Sequence, residues 1–111
     1  MSDLQLREGE LDRIRLKHPD KVPVFLSKSE SSKDNLPEMR KRKFLVPTQY
    51  TMGEFVLTIR KWLLVRPEQA IFIFIDNILP SASSTIGQIY EAHKGKDGIL
   101  RIIYSAENTF G

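Results

Sequence analysis

The spacing of apolar residues along the chain alternates between a period of two and a period near 3.6, and these changes predict the order of its elements. Short runs of β-branched and aromatic residues predict strands, and apolar residues three and four positions apart predict amphipathic helices. In chain order, the predicted elements are helix 3–17, strand 22–26, strand 43–47, helix 51–65, strand 71–75, helix 85–95 and strand 99–104.

Two of the predicted helices begin with a recognisable cap. Thr51 with Glu54, and likewise Thr85 with Gln88, have the spacing of a capping box, in which each side chain bonds the backbone amide of the other residue. Pro67 is expected to close the first of these helices because proline cannot donate a helical hydrogen bond.

The predicted strands form a hairpin followed by further strands of a mixed sheet. Helix 51–65 follows the hairpin and is expected to cross one face of the sheet. Strand 71–75 is apolar on both faces, which predicts a buried central strand. Pro23 predicts unpaired or edge positions in the first strand, and the polar stretch 27–38 predicts a mobile loop. This order indicates an α+β fold: a ubiquitin-like β-grasp, with a mixed four-stranded sheet, crossing helices and a short N-terminal helical arm.

Composition narrows the function classes. The 111 residues suffice for one domain, and the absence of a long apolar run or leader-like segment predicts a cytoplasmic protein. The chain has no cysteine, which excludes thiol catalysis and thiolate metal sites. It lacks a Gly-rich phosphate loop and a nucleophile–base motif, and neither His18 nor His93 has a second ligand at metal-binding spacing. We therefore expect no enzyme, no catalytic residue, no metal and no cofactor.

Charge is unevenly distributed. Residues 1–66 hold 14 Lys and Arg against 9 Asp and Glu (+5), and residues 67–111 hold 3 against 5 (−2), which together give the net charge of +3. The basic excess peaks at 40–43, and acidic protein segments, anionic membrane or nucleic acid could bind such a patch. Nucleic acid is not expected because the excess is small and no aromatic-basic interleaving occurs. A steep loss of affinity with salt would indicate it.

The chain ends at Gly111, shortly after an apolar strand. A glycine carboxylate is unhindered because the residue has no side chain, so it can enter a narrow catalytic cleft. Such an end suits a protein whose own C-terminus is activated and joined to another molecule. A chain can also end on glycine by chance.

Several motifs fall in one register over nearly the whole chain, from Glu8 to Gly111. Together they resemble the autophagy ubiquitin-like modifiers, the family that includes GABA-receptor-associated protein and the microtubule-associated light-chain proteins. The motifs are Lys43-Phe44-Leu45-Val46-Pro47, Gly53-Glu54-Phe55, Ile59-Arg60-Lys61, Phe72-Ile73-Phe74-Ile75-Asp76-Asn77-Ile78-Leu79-Pro80, Gly87-Gln88-Ile89-Tyr90, Tyr104-Ser105 and Phe110-Gly111.

The resemblance implies that Gly111 is activated with ATP and amide-linked to the headgroup of phosphatidylethanolamine. The implied partners are ubiquitin-like activating and conjugating enzymes and a cysteine protease that processes or delipidates the protein. The lipidated form would be a peripheral, lipid-anchored protein of the autophagosome membrane. Residues 1–20 are expected to form the helical arm and 21–111 the ubiquitin-like domain, with a flexible tail at 106–111.

A second implied activity is the recruitment of cargo receptors through short aromatic-x-x-aliphatic motifs, which would add a strand along residues 43–46. The implied aromatic pocket comprises Glu10, Ile14, Pro23, Lys43, Leu45 and Ile99. The implied aliphatic pocket comprises Phe44, Val46, Pro47, Tyr50, Phe55 and Ile59. Acidic residues that flank the motif would meet Lys21, Lys41, Arg42 and again Lys43.

Three residues depart from the family pattern. Thr58 stands where a leucine is expected, which would make the aliphatic pocket more polar or shallower, and Ile99 replaces a usual aromatic residue. Trp62 stands where relatives often carry a basic residue, and its spacing fits both packing and ligand contact. Receptor preference therefore stays open. The alternative function is a non-conjugated, peptide-binding ubiquitin-like adaptor.

Overall fold

The computed structural model describes residues 17–30 and 36–107, which form a four-stranded sheet and two helices. From residue 21 onward the elements follow the predicted order. They are β1 Lys21–Lys28, β2 Lys43–Pro47, α1 Met52–Leu63, β3 Phe72–Phe74, α2 Ile86–His93 and β4 Leu100–Ser105. Apart from Lys17, the predicted helix 3–17 lies outside the described residues.

The sheet is mixed, with the strand order β2-β1-β4-β3. β1 pairs antiparallel with β2 and parallel with β4, and β3 pairs antiparallel with β4. The prediction of a central strand at 71–75 was therefore wrong, because β3 lies at one end of the sheet. Ile73, Phe74 and Ile75 are buried nonetheless. Burial on both faces of a strand reports what covers the sheet and does not report how many strands pair with it.

Pro23 lies within β1, which has a strand on either side. Thr48 donates its amide hydrogen to the carbonyl of Asp20 at 2.9 Å, and bonded pairs alternate along an antiparallel ladder. Pro23, opposite Leu45, therefore falls at a position that bonds nothing in β2. The missing amide hydrogen therefore costs no ladder bond with β2, and the predicted unpaired position is confirmed on that side. On the other side, the parallel register with β4 begins one residue later, at Val24.

The predicted mobile loop 27–38 is partly wrong. Ser27 and Lys28 extend β1, because they pair with β4 beyond the apolar run that marked the strand. Residues 31–35 lie outside the described part of the chain. Leu36 is 4% exposed and joins the core. The buried Tyr104 hydroxyl donates to the Pro37 carbonyl at 2.7 Å and accepts from the Met39 amide at 3.2 Å, which fixes the approach to β2.

Both predicted capping boxes are present. The Thr51 hydroxyl accepts from the Glu54 amide at 3.1 Å, the Glu54 carboxylate accepts from the Thr51 amide at 3.1 Å, and the Thr85–Gln88 pair repeats this arrangement. Helix α1 ends at Leu63 because Leu64 adopts a left-handed conformation with φ 55°. The stop therefore comes before Pro67, which was expected to cause it.

The core lies between the sheet and α1. The apolar stripe of α1 supplies Met52, Phe55, Ile59 and Leu63, all buried. Facing side chains come from alternate positions of β1, β2 and β4, as the period of two requires; they are Val22, Val24, Leu26, Val46, Leu100, Ile102 and Tyr104. No helix within the described residues is both long and apolar enough to cross a membrane.

Candidate functional site

Strand β2 is the outermost strand of the described sheet on its side. Leu26 donates its amide hydrogen to the carbonyl of Arg42 at 2.8 Å, which fixes the alternation of the β1–β2 ladder. Phe44 and Val46 therefore direct their backbone groups toward β1, and Leu45 between them directs its amide and carbonyl away from the sheet. The pairing surface predicted at 43–46 is thus narrower, since only alternate residues can bond an added strand.

One face of β2 carries the described members of the predicted aromatic pocket. Leu45 is opposite Pro23, and the β1–β4 register continues this row to Ile99. Leu45 is 37% exposed, whereas Ile99 is 4% exposed and Pro23 is buried. A ligand on this face would meet mainly Leu45, and the other two would support it from beneath.

Lys43 belongs to the next row of the same face, in register with Phe25 and Arg101, and its side chain is half-buried. Glu10 and Ile14, the remaining predicted members of the aromatic pocket, lie outside the described residues. Gly111 does as well, so its role stays a prediction.

The other face of β2 carries Phe44 and Val46 of the predicted aliphatic pocket, and three of the six pocket residues belong to the core. Val46 is 3% exposed, and Phe55 and Ile59 on α1 are 1% and 0% exposed. Phe44, Pro47 and Tyr50 are only half-buried. The structure thus brings five of the six predicted residues together, with three forming a floor and Phe44 and Tyr50 offering accessible area, whereas Pro47 alternates with Val46 and lies on the Leu45 face.

Trp62 resolves an ambiguity of the sequence, because it both packs and remains accessible. Its ring stacks on Phe44 with a centroid separation of 4.4 Å and an interplanar angle of 9°. It also meets Phe55 edge-on, with centroids 6.3 Å apart. The residue as a whole is 42% exposed. Trp62 was noted from the sequence only as a departure from the family pattern, and its contact with β2 required the fold.

The basic residues predicted to meet acidic flanks lie at both ends of β2, with Lys41 and Arg42 just before its first residue and Lys21 beside its last. Lys41 is exposed, with its Nζ 5.5 Å from the centroid of the Phe44 ring, a cation–π distance. Arg42 forms an exposed pair with Glu38 at 3.5 Å. Lys21 begins β1 opposite Pro47 and is half-buried. Positive charge is therefore concentrated near the accessible strand, although part of it has a partner in the protein.

Sequence reasoning missed an ion pair on the Leu45 face. Asp97 and Arg101 form two hydrogen bonds, of 2.6 Å and 3.1 Å. The hydrogen bond from Arg101 lowers the pKa of the Asp97 carboxyl, and a bond from the Ile99 amide adds to the effect. The i, i+4 spacing was visible in the sequence, but only the β1–β4 register puts Arg101 in the row of Phe25 and Lys43.

A second missed pair joins two separate elements. The ring of His93, at the end of α2, lies 2.7 Å from the carboxylate of Asp76. No spacing in the sequence indicated this pair because Asp76 is 17 residues from His93. Among the described residues no group of three or more His, Cys, Asp and Glu could hold a metal ion.

The sheet is mixed, begins with the antiparallel hairpin β1–β2 and has α1 packed across one face. This architecture is that of the ubiquitin-like β-grasp domains. A crystal structure of Trypanosoma brucei ATG8 superposes with a TM-score of 0.83 and 33% identity, covering 95% of this chain and 89% of that one. The predicted fold is confirmed.

The family model described as "Autophagy protein Atg8 ubiquitin like" matches residues 6–111, and the chain belongs to this family. Autophagy-related protein 8 of Schizosaccharomyces pombe is 50% identical over 105 residues, which cover 95% of this chain and 85% of that protein. Autophagy-related protein 8 of Mycosarcoma maydis is 47% identical over 105 residues, covering 95% and 87%. Autophagy-related protein 8d of Arabidopsis thaliana is 46% identical over 108 residues, covering 97% and 88%. The resemblance stated from the motifs is confirmed, and it supports a role in autophagy.

Proposed function

We propose that this protein is a ubiquitin-like modifier whose Gly111 is amide-linked to phosphatidylethanolamine during autophagosome formation, and which recruits cargo receptors along the outer edge of β2. The single observation that carries the recruitment is the position of β2 at the end of the sheet, with the Leu45 backbone directed outward. Conjugation is supported by membership of the Atg8 family, whose model matches through to residue 111.

Recruitment would occur by β-augmentation. An extended peptide beside β2 would bond the outward amide and carbonyl of Leu45, while its alternate side chains contact the two faces of the strand. The exposed fraction of Leu45 supplies an apolar contact on one face. On the other face, Phe44 and Tyr50 are half-buried and supply the accessible area.

Acidic residues beside the motif would meet the positive charge at the beginning of β2. Lys41 is exposed there, and the ion pair that Arg42 forms with Glu38 is weak and exposed. Charge of this kind increases association rate and specificity more than affinity. The preferred receptors would therefore carry acidic residues next to an aromatic-x-x-aliphatic sequence.

Conjugation gives this domain a firm membrane anchor. Each buried methylene of an acyl chain contributes about 0.8 kcal/mol, so the two chains of phosphatidylethanolamine hold a soluble domain on a bilayer. The activating and conjugating enzymes supply the chemistry, and a cysteine protease that hydrolyses the amide would release the protein. The protein itself is not an enzyme in this account, and its two locations are the cytoplasm and the autophagosome membrane.

The test of conjugation replaces Gly111 by alanine and incubates the protein with cognate activating and conjugating enzymes, ATP and liposomes that contain phosphatidylethanolamine. The wild-type protein should gain one phospholipid mass, and Gly111→Ala should not, because the added methyl group obstructs the narrow cleft. Glu68→Ala, at an exposed position far along the chain, serves as the control and should be lipidated normally. Efficient lipidation of Gly111→Ala would refute the assigned role.

The alternative, a non-conjugated adaptor, rests on the β2 edge alone. Intact-mass measurement of the membrane-bound pool in cells separates the two functions. A pool that carries the phospholipid mass supports the modifier. A pool of unmodified protein that still binds receptor peptides supports the adaptor.

A further inference from the structure

The second face of β2 is closed by a contact between its two walls. Phe44 lies on the strand and Trp62 lies on α1, and their rings are nearly parallel with centroids 4.4 Å apart. This separation is van der Waals contact, so no side chain fits between the rings. Val46, on the same face of the strand, and Ile59, on the apolar stripe of α1, form part of the floor and are 3% and 0% exposed. A ligand side chain can reach this floor only if the stack opens.

The large side chain of Trp62 lies one helical turn after Thr58, whose side chain is small. Side chains on a helix lean toward its N-terminus over the residue four positions earlier, which places the Trp62 ring over the turn of Thr58. The Thr58 hydroxyl donates to the Glu54 carbonyl at 3.1 Å, so its polar atom is satisfied locally. The small side chain at 58 therefore leaves room for the ring of Trp62 over this turn.

We propose that Trp62 is a specificity-determining residue that closes the second pocket of the peptide groove. This inference rests on the proposed docking along β2. Binding would depend on the strand contact at Leu45, the aromatic anchor and the acidic flank. The aliphatic anchor would contribute less than an open pocket allows, because it must first separate Trp62 from Phe44. Receptors of this protein would thus be peptides with a strong aromatic anchor and a loosely specified residue three positions later.

The expected size of the effect follows from the contact that must be broken. An aromatic pair contributes an interaction equivalent to about two- to tenfold in an equilibrium constant, beyond the area it buries. In the wild type, the cost of opening the stack should therefore reduce the preference for leucine over alanine at the second anchor by about that factor.

Calorimetry with two peptides and two proteins tests this directly. The peptides carry acidic residues and a phenylalanine anchor, and they differ only in leucine or alanine three positions after it. The ratio of their affinities should be about two- to tenfold larger for Trp62→Ala than for the wild type. Trp62→Phe, which keeps a ring against Phe44, should give an intermediate ratio. Leu64→Ala, at a position that is 88% exposed beyond the end of α1, is the control and should leave the ratio unchanged.

Fluorescence gives an independent reading because Trp62 is the only tryptophan in the chain and the peptides have none. The leucine peptide should shift the emission to longer wavelength as the indole leaves Phe44 for water, and the alanine peptide should not. An unchanged or smaller ratio in Trp62→Ala, with the wild type still binding, would overturn this inference and leave the docking proposal intact. Failure of both peptides to bind either protein would overturn both.

Discussion

The two faces of strand β2 both carry apolar side chains, and they differ in how much of that apolar surface the rest of the molecule covers. On one face Leu45 is 37% exposed and lies over a supporting row of neighbours. On the other face Val46 is 3% exposed, and Phe44 is covered by the Trp62 ring. A strand at the edge of a sheet can offer both faces to a ligand only where the residues beneath are not already needed for the core.

This difference indicates how binding and stability are divided around β2. Leu45 can change with little effect on folding because solvent already reaches it, whereas Pro23 and Ile99 on the same face are buried. Residues of the α1 face support the core first and a ligand second. Substitutions on the two faces should therefore separate loss of affinity from loss of stability.

The largest effect is expected at Ile59. It is 0% exposed within the core, so Ile59→Ala should reduce the free energy of unfolding by about 2–5 kcal/mol through lost burial and a residual cavity. Chemical denaturation monitored by circular dichroism measures it. Leu57→Ala lies on the same helix at 63% exposure and should change stability by less than about 0.5 kcal/mol. A loss below about 1 kcal/mol for Ile59→Ala would mean that this residue is free to serve as a pocket wall.

An intermediate effect is expected at Leu45, and it should appear in binding. Leu45→Ala should weaken an acidic aromatic-x-x-leucine peptide by about 1–2 kcal/mol, or roughly 5- to 30-fold, because it removes the accessible apolar contact of the strand. The free energy of unfolding should change by less than about 1 kcal/mol. Calorimetry and denaturation of the same variant measure both quantities. Unchanged affinity would place the peptide elsewhere, and a large stability loss would make Leu45 a core residue.

The smallest effect is expected at the Asp97–Arg101 pair. The pKa of Asp97 is lowered by Arg101, so its charged form stabilises the folded state at neutral pH, and this contribution disappears as the pH falls below about 4 through the lowered pKa. Both side chains are about 40% exposed, at 44% and 40%, so solvent screening keeps the contribution below about 1 kcal/mol.

Denaturation of the wild type and Asp97→Asn at pH 7 and pH 3 checks the sign. The variant should be slightly less stable at pH 7, and the difference should shrink at pH 3. A difference that grows toward pH 3 would contradict the account. A ligand on the Leu45 face would meet mainly Leu45, so a peptide that relies on this face should tolerate Asp97→Asn better than Leu45→Ala.

Local signals in the sequence sufficed for the order of the elements from residue 21 onward and for the starts of the two described helices. The Thr51 and Thr85 capping boxes were correctly predicted because a capping box involves residues only three positions apart. The position of β3 was not, because the order of strands in a sheet depends on long-range pairing. An apolar run such as 71–75 looks the same at the centre of a sheet and at a covered edge.

The candidate site divides in the same way. The family resemblance identified β2 and its neighbours, and the fold brings most of the predicted residues together. Alternation could have predicted that Val46 and Leu45 face opposite ways, but not which of them is buried. The stack of Trp62 on Phe44 joins residues 18 positions apart on different elements, so no spacing rule could have predicted it.

The most direct test of the central claim, that the outer edge of β2 accepts a peptide strand, is amide hydrogen exchange at Leu45. In the free protein its outward amide should exchange quickly, and that of Val46, which faces β1, should exchange slowly. Saturation with an acidic aromatic-x-x-leucine peptide should slow exchange at Leu45 and leave Val46 nearly unchanged. A Leu45 amide that exchanges at the same rate with the peptide bound would contradict the account.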